Sequence, residues 1–170
     1  MSTEHLDDGN IVPGKLRYGW PLNENDWENI SLLRLHKQNW VRVPLTPLAV
    51  GNVPAGKGVY MMCVNPPLID SSVPFLNLFS VIYAGKSKNL RRRFREHITV
   101  PSPKVSIARR IYANSIGFWY LHLSDQTMDQ ITQIEYYLIK ALGPPACDQP
   151  GQDLGLYSMD VSGAIELKSS

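Results

Sequence analysis

Two short apolar runs constrain this chain more than any other feature. One is Gly58-Val59-Tyr60-Met61-Met62-Cys63-Val64, ended by Asn65-Pro66-Pro67; the other is Phe79-Ser80-Val81-Ile82-Tyr83-Ala84, stopped by Gly85. Nearly continuous apolar character between turn formers is how a buried strand reads. A connector over 68–78 separates the two, and they are expected to pair antiparallel. A third run, Ile116-Gly117-Phe118-Trp119-Tyr120-Leu121-His122-Leu123, is dense in aromatics and reads as a strand as well. A length of 170 residues suits one domain and not comfortably two.

Helical spacing fills the gaps between the strands. Ser87 or Asn89 can start a helix over 90–98, where Leu90, Phe94 and Ile98 make one buried stripe before Pro101. A shorter helix is expected over 107–113. Ser124 or Asp125 opens a long one over 128–142, with Ile131, Ile134, Leu138 and Leu142 on one face and Gly143-Pro144-Pro145 closing it. Upstream, Asp26 can cap a helix over 27–37. Val41, Val43 and Leu45 alternate like a strand but are punctuated by Pro44, Pro47 and Pro54, which suits an edge strand or connector. The expected class is α/β of the α+β kind: a small central antiparallel sheet of about three strands flanked by helices. An N-terminal arm and helical extension occupies 1–52, the domain 53–150, and a tail 151–170.

The net charge of +2 is unevenly distributed. Lys86, Lys88, Arg91, Arg92, Arg93, Arg95, Lys104, Arg109 and Arg110 face a single acid, Glu96, so segment 86–110 carries +8 and the remainder −6. Clustered cations repel one another unless something neutralises them, which suggests a polyanion contact; a solvated helix face is the other reading, and charge alone leaves both open. Apolar residues at 44% and charged residues at 19% argue against a disordered chain or a coiled coil. Cys63 and Cys147 are too few for a disulfide framework and fit a reducing compartment. Residues 1–10 carry Glu4, Asp7 and Asp8 without a basic cluster or apolar core, so neither a secretory nor a transit signal is expected. No apolar run approaches membrane-spanning length, and the cytoplasm is the expected compartment.

Gly85-Lys86-Ser87 lies between a strand and a helix, where a phosphate loop would sit. A Walker loop needs a further glycine five residues earlier, and that position is Ser80, so a nucleotide triphosphatase is set aside. Taken together, Gly58-Val59-Tyr60, Tyr83-Ala84-Gly85 and the following Lys86-Ser87-Lys88-Asn89-Leu90-Arg91-Arg92-Arg93-Phe94-Arg95-Glu96-His97 resemble the GIY-YIG nuclease family. In that family two strands bear the tripeptides, the next helix brings an arginine, and a later helix a glutamate. The resemblance covers residues 53–150 and implies Arg93 and His97 on the helix over 90–98 and Glu135 on the later one over 128–142. Ala84 departs from the usual Ile or Val, the connector is longer than a tight hairpin, and Cys147, followed by Asp148, stands where members often carry an asparagine.

The residues also make chemical sense by themselves. Arg93 and His97 flank one edge of the buried stripe, Arg91 and Arg95 the other, and Arg92 points outward. Phosphodiester hydrolysis needs an oriented nucleophile, a cation against developing charge, and help for the leaving oxygen. One carboxylate, Glu135, with water and phosphate oxygens, suits a single hydrated Mg²⁺ (or Mn²⁺). A tyrosine with a pKa near 10 is a poor base at neutral pH, so Tyr60 or Tyr83 needs help from Lys86, His97 or a metal-bound water. Singly, each residue has a plainer reading: strand tyrosines as core or rim, Glu135 as a solvated helix face, His97 as packing, and His5, His36 and His122 as structural or surface groups. Phe118-Trp119-Tyr120 would be core in part, with base stacking the lesser reading, and Cys63 a buried small hydrophobe. Their joint occurrence favours a site.

The expected catalytic set is therefore Tyr60, Tyr83, Arg93, Glu135, His97 and Lys86, with Glu135 as metal ligand. Lys88, Arg91, Arg92, Arg95, Arg109 and Arg110 are expected on the phosphate backbone. The expectation is a metal-dependent DNA endonuclease, with RNA still open as a substrate. The alternative is a nucleic-acid-binding module that keeps the fold and does not cut. One such site nicks one strand, so double-strand cleavage calls for a homodimer or two events.

Overall fold

Among the described residues four strands are present rather than about three, because the Val41 segment is a sheet edge and not a connector. The computed structural model describes residues 34–64, 81–112, 115–144 and 146–147. In chain order these form β1 (Val41–Pro44), β2 (Gly58–Val64), β3 (Val81–Ser87), α1 (Leu90–Thr99), α2 (Pro103–Tyr112), β4 (Ile116–His122) and α3 (Met128–Leu142). Short 3-10 turns occupy Leu35–Lys37 and Pro47–Asn52. The sheet order is β1-β4-β2-β3 and every pairing is antiparallel. Pro44 sits at the end of an edge strand, where a missing N–H is tolerated. The connector 68–78, residues 27–33 of the expected first helix, and the tail 151–170 lie outside the described residues.

The two central strands explain why their apolar runs are continuous: both of their faces are covered. Val59, Met61 and Cys63 of β2, with Trp119 and Leu121 of β4, pack against Ile131, Ile134 and Leu138 of α3. Tyr60, Met62, Phe118 and Tyr120 point the other way, against Leu90 and Phe94 of α1 and Val105 and Ala108 of α2. The result is three layers, with α3 on one side and α1 and α2 on the other. Burying a large side chain such as Phe94 or Trp119 is worth about 2 kcal/mol or more, so this sandwiching sets the register of the central strands.

Several local expectations shift. The segment expected as a helix to residue 37 ends in a 3-10 turn, entered through Arg34 in the left-handed region (φ 49°), which an α-helix cannot pass through. Gly85 does not stop β3; it pairs with Tyr60, and the strand runs on to Ser87. The second helix begins at Pro103 rather than 107, with proline at a first-turn position that has no N–H to lose and Ser102 accepting from Val105 and Ser106. Thr127, not Ser124 or Asp125, caps α3, through a reciprocal box with Gln130. Asn89 caps α1 by accepting from the Arg92 N–H, and Gly143 closes α3 in the left-handed region (φ 49°). Among the described residues no helix is long and apolar enough to cross a membrane.

Candidate active site

The pleat places Tyr60, Tyr83 and Gly85 on the α1 side of the β2–β3 pair. Tyr83 sits opposite Met62, two residues along from the Tyr60–Gly85 pair, and so shares the core on the side of Tyr60; beyond it the register slips by one residue between Met62 and Cys63, which puts Val81 opposite Cys63. Tyr60 is fully buried and stacks on Phe118, 4.9 Å between ring centroids at 16°. Its hydroxyl lies over Gly85, where a Cβ would come within 2.7 Å of it. That position is glycine because of this approach, and not because of a positive φ.

From α1, Arg93 and His97 meet the same hydroxyl. Arg93 donates Nε–H to the Tyr60 oxygen at 2.9 Å, and His97 Nε2 lies 2.9 Å from it. Arg93 also reaches the Tyr83 hydroxyl through Nη2 at 3.4 Å and Glu96 Oε2 through Nη1 at 3.1 Å. Burial, with the positive charge of Arg93 next, lowers the His97 pKa to about 4 against a weaker opposing pull from Glu96. Burial, helped by the neighbouring Tyr83, raises the Tyr60 pKa well above 10, and Arg93 only partly offsets this. At neutral pH His97 is therefore a neutral imidazole and Tyr60 a phenol. Arg93 donates to the oxygen, and the contact between the hydroxyl and His97 Nε2 runs in the direction that the imidazole tautomer sets.

Glu135 reaches the same cleft from the opposite layer, around the free edge of β3. Its Oε1 accepts the Lys86 backbone N–H at 3.0 Å and its Oε2 pairs with the Lys86 ammonium. The rest of this edge is covered as well: Ile82 O accepts Ala146 N–H at 2.9 Å, and Cys147 Sγ accepts from Ala84 N at 3.4 Å while donating to Ala84 O at 3.3 Å. An edge strand offers unpaired backbone groups, and here Ala146, Cys147 and Glu135 take up those at residues 82, 84 and 86 in turn. The thiol thus supplies both a donor and an acceptor.

The cleft has a volume of about 420 Å³, and Tyr60, Tyr83, Gly85, Lys86, Arg93 and Glu135 all line it. These tripeptides, arginine and glutamate converge on one cavity although Tyr60 and Glu135 lie far apart in sequence. A family model, the GIY-YIG catalytic domain, matches residues 57–147. The chain belongs to the GIY-YIG family. Neither the curated proteins nor the solved structures give a match. The GIY-YIG domain is a nuclease domain, its nucleases generally use divalent metal ions, and its substrate class is nucleic acid.

Five of the six expected catalytic residues line the GIY-YIG cleft itself; His97 sits behind it, buried against Tyr60. The basic set divides. Lys88 and Arg92 line the cleft, and Arg95 and Arg110 are exposed. Arg91 instead donates to Val53 O at 2.7 Å, and Arg109 to Ile98 O at 2.8 Å and His97 O at 3.3 Å, closing the end of α1. Four cleft residues, Gly85, Ser87, Glu96 and Met128, lie outside the catalytic and backbone-binding sets expected from sequence. By sequence Gly85 reads as a strand stop and as the end of the Tyr83-Ala84-Gly85 tripeptide, and Glu96 as the lone acid of a basic segment. The spacing of Glu96 from Arg92 and Arg93 was the available signal.

Among the described residues no three His, Cys, Asp or Glu side chains cluster as a metal site. The donor set still fits a hydrated magnesium-type ion, which keeps several waters and takes one or two carboxylates plus substrate phosphate oxygens. Two carboxylates, Glu96 and Glu135, stand on the cleft wall, and Glu135 is the one that would hold it.

Proposed function

We propose that the protein is a metal-dependent endonuclease that hydrolyses phosphodiester bonds in DNA, with one Mg²⁺ or Mn²⁺ held by Glu135. The observation that carries this reading is the Tyr60 hydroxyl, pinned between Arg93 Nε and His97 Nε2 on the wall of a cleft that also holds Glu135. A buried tyrosine with a raised pKa is a poor base unless its own proton has somewhere to go. Neutral His97 is placed to receive it, and because its pKa is held near 4 it keeps that proton only transiently before solvent takes it, so Tyr60 can take a proton from the attacking water as it passes its own to Nε2. Arg93 Nε holds the Tyr60 oxygen in place through this exchange, which leaves Tyr60 a neutral phenol, and its Nη1 end faces the charge that builds on the phosphate. Lys86 fixes the Glu135 carboxylate at the strand edge through two contacts. A divalent ion, when bound, neutralises charge on the phosphate oxygens. Lys88, Arg92, Arg95 and Arg110 track the backbone, while Arg91 and Arg109 hold α1 in place. One such cleft cuts one strand, so cutting both calls for a second copy or a second event. The proposed compartment is the cytoplasm.

One observation favours a second reading, a nucleic-acid-binding module that does not cut: both Glu135 oxygens are engaged by Lys86. Plasmid nicking with Mg²⁺, with chelator, and with Glu135→Gln separates the two. Metal-dependent nicks lost in the variant support the enzyme, and binding without nicks in any metal supports the module.

A further inference from the structure

Six charged side chains line the cleft: the cations Lys86, Lys88, Arg92 and Arg93, and the acids Glu96 and Glu135. Both acids are spent on cations. Glu135 takes Lys86, while Glu96 takes Arg92 through Oε1 and Arg93 through Oε2. Standing four residues after Arg92 and three after Arg93 on α1, Glu96 bridges the two guanidinium groups that the expected backbone contact requires.

The two pairs differ in depth, and depth decides which of them an incoming anion can displace. The Glu135 side chain is 13% exposed and also accepts a backbone N–H. Glu96 is 34% exposed, with its partners at 64% for Arg92 and 36% for Arg93. Ion pairs this open contribute little and exchange readily against a better-charged ligand. Arg93 is otherwise committed, with Nε on Tyr60 and Nη2 on Tyr83. Its Nη1 end, the one Glu96 covers, is the end left to meet a phosphate.

We propose that Glu96 is a built-in competitor of the substrate phosphate: its carboxylate occupies the Arg92–Arg93 anion position until a nucleic-acid phosphodiester displaces it, which weakens non-productive backbone binding. This rests on the nucleic-acid reading of the cleft given above. Without an internal anion, two neighbouring guanidinium groups beside Lys86 and Lys88 would bind any polyanion by charge alone. Glu96 raises the threshold, so a duplex that also engages the rest of the basic surface is favoured over an isolated phosphate.

The test is equilibrium binding of a labelled DNA duplex, with chelator present and across a salt series, to the full chain and to Glu96→Gln, Glu96→Asp and Asp125→Asn. Asp125 is exposed and outside the cleft lining, so its variant removes the same charge elsewhere. Glu96→Gln should bind about tenfold more tightly and steepen the log–log salt slope by about one, as one more cation meets a phosphate. Glu96→Asp should stay near the parent, and Asp125→Asn should move affinity less than about twofold. The Glu96→Gln gain should vanish when Arg92 and Arg93 are both alanine. Unchanged or weaker binding by Glu96→Gln, in a protein whose parent form binds DNA, overturns the competitor and makes Glu96 an aid that orients Arg93. An equal gain from Asp125→Asn overturns it too, as a general charge effect. A parent protein that binds no DNA overturns the nucleic-acid reading and this proposal with it.

Discussion

The Tyr60 hydroxyl occupies the space that a side chain at position 85 would fill: a Cβ on Gly85 would lie 2.7 Å from the oxygen and 2.9 Å from Cζ. Tyr60 cannot retreat, since it is fully buried and stacked on Phe118. Gly85→Ala should therefore shift the hydroxyl away from Arg93 and His97, lower the cleavage rate about 100-fold, and cost about 1–3 kcal/mol of stability. Single-turnover nicking and a urea melt check both halves. A rate equal to the parent's would show that hydroxyl placement is not limiting.

The two tyrosines should separate in the same assays. Tyr60→Phe keeps the ring but strands the Arg93 Nε–H and His97 Nε2, so about 1–3 kcal/mol of stability and at least about 100-fold in rate should go. Tyr83 is only half-buried, and its contact with Arg93 is a long 3.4 Å. Tyr83→Phe should cost less in both, and the reverse order would move the proton relay to Tyr83.

His97 sets a pH dependence whose sign follows from its burial. Its pKa falls from 6.5 to about 4 on folding, so the unfolded chain binds the proton more readily. The contribution to stability is full above about pH 6.5 and is lost as the pH falls from there towards 4, by about 3 kcal/mol at about 1.4 kcal/mol per pH unit. His97→Gln should remove that part of the slope. Urea midpoints of both proteins at pH 7 and pH 5 measure it, and parallel slopes would place the imidazole in contact with solvent.

Cys147 should tolerate asparagine better than alanine. Its thiol both accepts from Ala84 N and donates to Ala84 O, and Ala84 lies between Tyr83 and Gly85 on the edge strand. An asparagine amide also carries a donor and an acceptor, so Cys147→Asn should keep or raise activity, whereas Cys147→Ala should cost about 1 kcal/mol and a few-fold in rate. Thermal melts and nicking rates of the two variants decide it. Equal losses in both would make the position one of packing alone.

The sequence by itself determined what depends on neighbouring residues. The continuous runs at Tyr60 and at Phe118 mark strands covered on both faces, and the stripe of Leu90, Phe94 and Ile98, spaced four apart, marks a helix that presents Arg93 and His97 together along one edge. These follow from the fixed periods of strand and helix, which repeat within a few residues. Tertiary structure alone decided what depends on pairing across long stretches of chain. Sheet order inserted β4 between β1 and β2, and so left β3 as an edge with unpaired backbone groups. That edge drew the Glu135 carboxylate onto Lys86, 49 residues away, and the Cys147 thiol onto Ala84, 63 residues away. The same packing directed Arg91 and Arg109 to carbonyl oxygens, while Arg92, their neighbour in the same basic segment, lines the cleft with Glu96. Composition counts charges, but which of them face a ligand is settled by which backbone groups the fold leaves without partners.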